Sequence, residues 1–88
     1  MITGWKRIDG KWYFFTSSGQ MATGWLNDGG SWYYFNSYGA MATGWLDDGG
    51  VWYYFNGKGS MVTGWQMINS RWEMFSDDGA WLYTWTEN

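Results

Sequence analysis

Apolar and polar positions recur along this chain with a period too long for a helix or a single strand. Thr-Gly-Trp stands at Thr3-Gly4-Trp5 and returns every 20 residues, at Thr23-Gly24-Trp25, Thr43-Gly44-Trp45 and Thr63-Gly64-Trp65. Seven residues after each of these tryptophans comes a second one: Trp12, Trp32, Trp52 or Trp72. Phe15, Phe35, Phe55 and Phe75 follow three positions later, then Gly19, Gly39, Gly59 and Gly79. Met21, Met41 and Met61 close the first three units, and Trp81 takes that place in the fourth. Self-similarity at a fixed period is the mark of a repeat architecture. The repeats run 3–22, 23–42, 43–62 and 63–82, and a truncated fifth, 83–88, opens with Tyr83-Thr84-Trp85.

Within a unit the pattern predicts a β-hairpin. Segments such as Trp12-Tyr13-Phe14-Phe15 and Trp32-Tyr33-Tyr34-Phe35 are dense in residues that favour strands. No apolar stripe of helical period appears, and glycine is too frequent for helices. Asp9-Gly10, Asp28-Gly29-Gly30 and Asp48-Gly49-Gly50 tolerate the positive φ of tight turns. The paired glycines leave the hairpin register open by a residue or two. One hairpin cannot bury its own apolar face, but neighbours stacked in series can. The expected fold is therefore all-β: one domain over 1–88, a solenoid of stacked β-hairpins built from 20-residue repeats.

The 88 residues include 10 Trp, 7 Tyr and 5 Phe, and only 15% are charged. Phe15, Phe35, Phe55 and Phe75 are expected in the interior. Tryptophan at two fixed phases per unit exceeds what a narrow interior needs, since Trp is seldom fully buried. With a two-residue turn, Trp25 and Trp32 fall on one face of their hairpin. A tyrosine from a neighbouring hairpin adds a third wall, and Met41 closes the floor. Such a box suits two ligands. Sugars stack on rings but need polar groups to read their hydroxyls. Quaternary ammonium ions need only ring quadrupoles, at about 0.5 to 2 kcal/mol per contact.

The absences are as informative. There is no cysteine and no histidine, which excludes thiolate and imidazole chemistry, disulfides and the usual zinc ligands. A net charge of −3 disfavours nucleic acid. No run reaches the roughly 18 apolar residues of a membrane span. Met1-Ile2-Thr3-Gly4 does not read as a signal peptide, so a secreted parent is expected to carry its signal elsewhere. Asp28, Asp47, Asp48, Asp77 and Asp78 read as turn residues, not calcium ligands, because no Asp-x-Asp-x-Asp-Gly spacing occurs. Turns on a thin solenoid offer no cleft for a catalytic carboxylate pair, so no enzyme, cofactor or metal site is expected. Glu73 reads as a solvated capping residue that blunts an exposed edge, with a cation-holding carboxylate as the alternative.

The succession Gly24-Trp25, Gly30, Trp32-Tyr33-Tyr34-Phe35, Gly39, Met41 and Thr43-Gly44-Trp45 closely resembles the choline-binding repeat of cell-wall-binding modules, from residue 3 to residue 85. The resemblance implies a module that binds choline or phosphocholine on wall or lipoteichoic acids, secreted and held at the cell wall or cell surface. It also implies sites between consecutive units. The first would use Trp5, Trp12 and Met21 with Tyr34, the second Trp25, Trp32 and Met41 with Tyr54. Tyr33 and Tyr53 are the alternatives to these tyrosines, and strand alternation favours Tyr34 and Tyr54. The third would use Trp45, Trp52 and Met61 with Trp72, because Glu73 and Met74 replace the tyrosine pair there. A fourth site at Trp65 and Trp72 would have only Trp81 and Trp85 beyond it, or a second chain. The expected parent is a larger lysin or surface protein that carries its own catalytic domain. A homodimer through exposed end hairpins is expected as well. An α-glucan-binding module and a structural spacer solenoid are the competing readings.

Overall fold

Four short turns set the architecture. The computed structural model describes residues 2–86, which hold nine β-strands, β1 (Gly4–Ile8), β2 (Lys11–Phe15), β3 (Gly24–Asp28), β4 (Ser31–Phe35), β5 (Gly44–Asp48), β6 (Val51–Phe55), β7 (Gly64–Ile68), β8 (Arg71–Phe75) and β9 (Trp81–Trp85). Strands β1–β2, β3–β4, β5–β6 and β7–β8 pair as antiparallel hairpins. Ile8 faces Lys11, Asp28 faces Ser31, Asp48 faces Val51 and Ile68 faces Arg71, so each loop has two residues. Both loop residues have positive φ, as at Gly29 (63°) and Gly30 (90°). That is the mirror-image turn whose twist matches the strands it joins. The fourth hairpin makes the same turn with Asn69 and Ser70, at φ of 52° and 66°. A serine in the left-handed region is strained by about 1 to 2 kcal/mol, which packing elsewhere in the hairpin must offset.

The chain forms two compact units, 1–42 and 43–88. In the first, pairing of Trp25 with Tyr34 and Leu26 with Tyr33 separates two faces. Trp25, Asn27, Trp32 and Tyr34 share one face; Leu26, Tyr33 and Phe35 share the other. Trp5, on the corresponding tryptophan face of β1–β2, packs onto the second kind of face, with ring centroids 4.8 Å from Tyr33 and 5.6 Å from Phe35. The Met41 amide also donates to the Trp12 carbonyl at 2.9 Å. The second unit repeats this contact, with Trp45 of β5–β6 lying 5.7 Å from Phe75 of β7–β8.

Phe35, Phe55 and Phe75 are sealed at 0–1% exposure, each worth about 1.5 to 3 kcal/mol of burial. Phe15 departs from the expected interior set and is only half-buried. Its face corresponds to the one Trp5 covers on the following hairpin, and no earlier hairpin covers it among the described residues.

Thr16, Asn36, Asn56 and Ser76 open the connectors. Asn36 Oδ1 accepts from the amides of Tyr38 and Ala40, and Asn56 Oδ1 from those of Lys58 and Ser60. Ser76 Oγ does the same with Asp78 and Ala80. These side chains hold the chain in a tight turn between hairpins.

The second unit has one addition. Strand β9 pairs with the outer side of β8, placing Trp85 opposite Trp72 and Tyr83 opposite Met74, with a bulge at Met74/Phe75. The segment expected to open a fifth unit thus lies in β9 through residues 83–85; Glu87 and Asn88 are outside the described residues. No helix among the described residues is long and apolar enough to cross a membrane.

Candidate functional site: aromatic boxes

Each of the first three hairpins presents two tryptophans at a right angle. The register places the second one two residues nearer the turn than the first tryptophan's direct partner, on the same face. Their ring centroids are 6.4 Å apart at 78° for Trp5–Trp12, 6.3 Å at 79° for Trp25–Trp32 and 6.3 Å at 81° for Trp45–Trp52. Trp12, Trp32 and Trp52 remain 40–42% exposed. Large rings held open to water in a fixed corner are a surface prepared for a ligand, because burying them further would be favourable.

The direct partner of the first tryptophan braces it from its own hairpin. Phe14 stands 5.2 Å from Trp5, Tyr34 5.2 Å from Trp25 and Tyr54 5.2 Å from Trp45, all edge to face. This corrects the placement expected for Tyr34 opposite Trp5. The ring that meets Trp5 from the next hairpin is Tyr33. Strand alternation puts Tyr34 on the same face as Trp32, and the opposite face is the one turned toward Trp5. The first box is therefore Trp5, Trp12 and Tyr33. Its Trp5 Nε1 donates to Asp28 Oδ2 at 2.9 Å, which fixes the indole against the turn of the following hairpin.

In the second unit a cavity of about 390 Å³ is lined by Trp45, Trp52, Glu73, Trp81 and Thr84. Trp72, expected as a wall of this box, faces the other way. It neighbours Glu73 on β8, and adjacent strand residues point to opposite faces. Glu73 itself is not a solvated cap: it is 7% exposed. Its Oε1 accepts from Trp81 Nε1 at 2.9 Å and from Thr84 Oγ1 at 2.5 Å. Glu73 pairs with Gln66 as Tyr33 pairs with Leu26, so the two occupy the same wall position.

Trp72 instead joins Trp65 and Trp85 around a second cavity of about 410 Å³, where Tyr83 braces Trp65 at 5.9 Å. Here β9, lying beside β8, brings the ring that a following hairpin would otherwise bring. Met21 and Met61 lie across the α-carbons of Gly39 and Gly79, where a Cβ would overlap the respective sulfurs. Tyr33 and the cation-holding role of Glu73 stood only as the alternatives in the sequence, and Trp81 and Thr84 are the lining residues that it did not assign to this box. The shared phase of Tyr33 and Glu73, 40 residues apart, was the available signal.

Charge is sparse around these rings. Among the described residues no three carboxylates come together in a way that would hold a metal ion. Asp47 Oδ1 accepts from the Gly50 amide at 2.9 Å, a bond internal to its turn. What the boxes offer is a set of ring faces, and in one case a carboxylate.

The model of the choline-binding repeat matches residues 2–43, 22–62 and 42–85. Among solved structures, choline binding protein F from Streptococcus pneumoniae is similar at 49% identity and a TM-score of 0.90, over 93% of this chain and 28% of that one. The choline binding domain of Spr1274 from Streptococcus pneumoniae is similar at 42% identity and a TM-score of 0.81, over 93% of this chain and 96% of that one. The pneumococcal cell wall endolysin from phage Cp-1, solved in complex with choline, is 41% identical with a TM-score of 0.71, over 91% of this chain and 24% of that one. The chain thus spans little more than a quarter of the length of choline binding protein F. Among curated proteins no sequence matches. With three overlapping repeat matches that together run from residue 2 to residue 85, the chain belongs to the family of choline-binding repeats.

Proposed function

We propose that the chain is a non-catalytic wall-binding module whose aromatic boxes hold the trimethylammonium group of choline by cation–π contacts. The observation that carries this reading is the right-angle tryptophan pair, repeated with open ring faces on successive hairpins. A quaternary ammonium carries no N–H and asks for no hydrogen-bond acceptor, which suits walls made of rings. Three rings at about 0.5 to 2 kcal/mol each supply enough for millimolar binding, roughly −4 kcal/mol. The boxes are Trp5, Trp12 and Tyr33, then Trp45, Trp52 and Trp81 with Glu73, then Trp65, Trp72 and Trp85. Trp25 and Trp32 contribute a further pair of walls. Several weak sites on one chain gain strength on a polymer that repeats its ligand. The polymer is the phosphocholine-bearing teichoic acid of a bacterial wall, and the module keeps a larger parent at that surface.

The test is a titration of tryptophan fluorescence with choline and with dextran. Choline is expected to change the emission at millimolar concentration and to raise the melting temperature by mass action. A response to dextran alone would overturn the assignment in favour of a glucan module, and silence to both would leave a spacer.

A further inference from the structure

The box at Trp45 and Trp52 differs from the box at Trp5 and Trp12 in one chemical respect. Both share the corner of two tryptophans, 6.3 and 6.4 Å apart, and both are backed by a phenylalanine of the next hairpin at 5.7 and 5.6 Å. The third wall is a tyrosine ring in one and a carboxylate in the other.

Burying that carboxylate is unfavourable unless it is bonded and its charge is met. Glu73 is more than nine-tenths buried, and the two donors it has, Trp81 Nε1 and Thr84 Oγ1, are both neutral and both reach Oε1. Among the described residues Oε2 takes no hydrogen bond and no Lys or Arg pairs with the group; since no sealed side-chain oxygen is left without a partner, Oε2 opens onto the cavity that Glu73 lines. A cation in the cavity supplies the missing charge. One that carries N–H also supplies the missing donor, in the strong, charge-assisted form.

Resting on the cation-binding reading above, the geometry points to a second ligand class for this box: an ammonium group that bears hydrogen, such as ethanolammonium, held between Trp45, Trp52 and Trp81 with its N–H on Glu73. The box at Trp5, Trp12 and Tyr33 offers no acceptor of this kind and takes the fully methylated cation alone. One chain then reads two degrees of methylation with the same tryptophan corner.

The probe is ethanolamine hydrochloride at neutral pH, titrated calorimetrically into the full chain alongside choline chloride. Ethanolamine is expected to occupy one box in the native chain and choline to occupy more than one. Glu73→Gln keeps the shape and the acceptor for Trp81 and Thr84 but removes the charge. It should weaken ethanolamine roughly ten- to a hundredfold while choline at the Trp5–Trp12 box stays unchanged. Should that variant fail to fold, Trp52→Ala and Trp12→Ala decide the matter. The first should abolish ethanolamine binding, and the second should remove one choline site and leave ethanolamine bound. Choline binding without any ethanolamine binding overturns this inference and leaves the choline reading standing. Ethanolamine lost with Trp12→Ala, or retained at full strength in Glu73→Gln, overturns it as well. Absence of both ligands overturns the choline reading and this inference with it.

Discussion

The boxes at Trp5–Trp12 and Trp45–Trp52 stand on the same strands, the same two-residue turn and the same tryptophan corner, yet their charge enters at different points. In the first unit the carboxylate is Asp28, exposed, on the turn of the following hairpin, bonded to the edge of Trp5. In the second unit that phase holds Ile68, 7% exposed, and the carboxylate has moved into the wall as Glu73. The move requires β9, since both donors to Glu73 come from it. An acidic wall and an extra strand therefore form one structural change. The frame that positions the rings is constant; the chemistry of the third wall is what varies.

Four experiments can break or sharpen that comparison. The largest effect belongs to the shared frame. Phe35→Ala and Phe75→Ala should each lose about 3 to 5 kcal/mol of folding stability, read from chemical denaturation, and half-buried Phe15→Ala should lose less. A small loss at Phe75 beside a large one at Phe35 would show that the two frames are not equivalent.

Next come the carboxylates. Glu73→Ala strands Trp81 Nε1 and Thr84 Oγ1 and should destabilise the chain by about 1 to 3 kcal/mol. If its melt matches that of the native chain, the hydrogen bonds of the acidic wall contribute nothing. Ring removal follows: Trp12→Ala, Trp32→Ala and Trp52→Ala should each weaken choline at their own corner by about 1 to 2 kcal/mol, a factor of roughly 5 to 30, with folding intact by thermal melt. A variant of this set that unfolds would turn the assignment of core and ligand faces around. The smallest effect is at Asp28→Ala, an exposed bond, which should stay within about 0.5 kcal/mol in stability.

Much of this frame can be read directly from the 20-residue spacing. Strand-rich segments, turn residues and the seven-residue offset between tryptophans lead to hairpins and to two rings on one face. The tyrosine is harder. Alternation says which residues of a hairpin share a face, so it groups Tyr34 with Trp32. Which face the preceding hairpin covers is decided by packing, and packing places Tyr33 and Phe35 against Trp5. Glu73 and Trp72 are misread for a different reason. Tyr83-Thr84-Trp85 has the spacing of an opening strand, and nothing local reveals that it hydrogen-bonds beside β8. That pairing buries Glu73 under Trp81 and Thr84 and gives Trp72 a new neighbour in Trp85. The polar residues after each aromatic strand, Thr16, Asn36, Asn56 and Ser76, were visible as a pattern, but their capping role emerges only from the bonds they make.

Met21 over Gly39 and Met61 over Gly79 join each pair by the same fit, a thioether laid where a glycine has no side chain. In each pair one repeat supplies the plug and the next supplies the socket. A gene segment duplicated in whole units brings a matching plug and socket with it, and no compensating substitution is needed. A duplication one residue short or long would set the thioether against a side chain instead. The fit therefore ties the length of the repeat to its packing: whole units preserve it and partial ones do not.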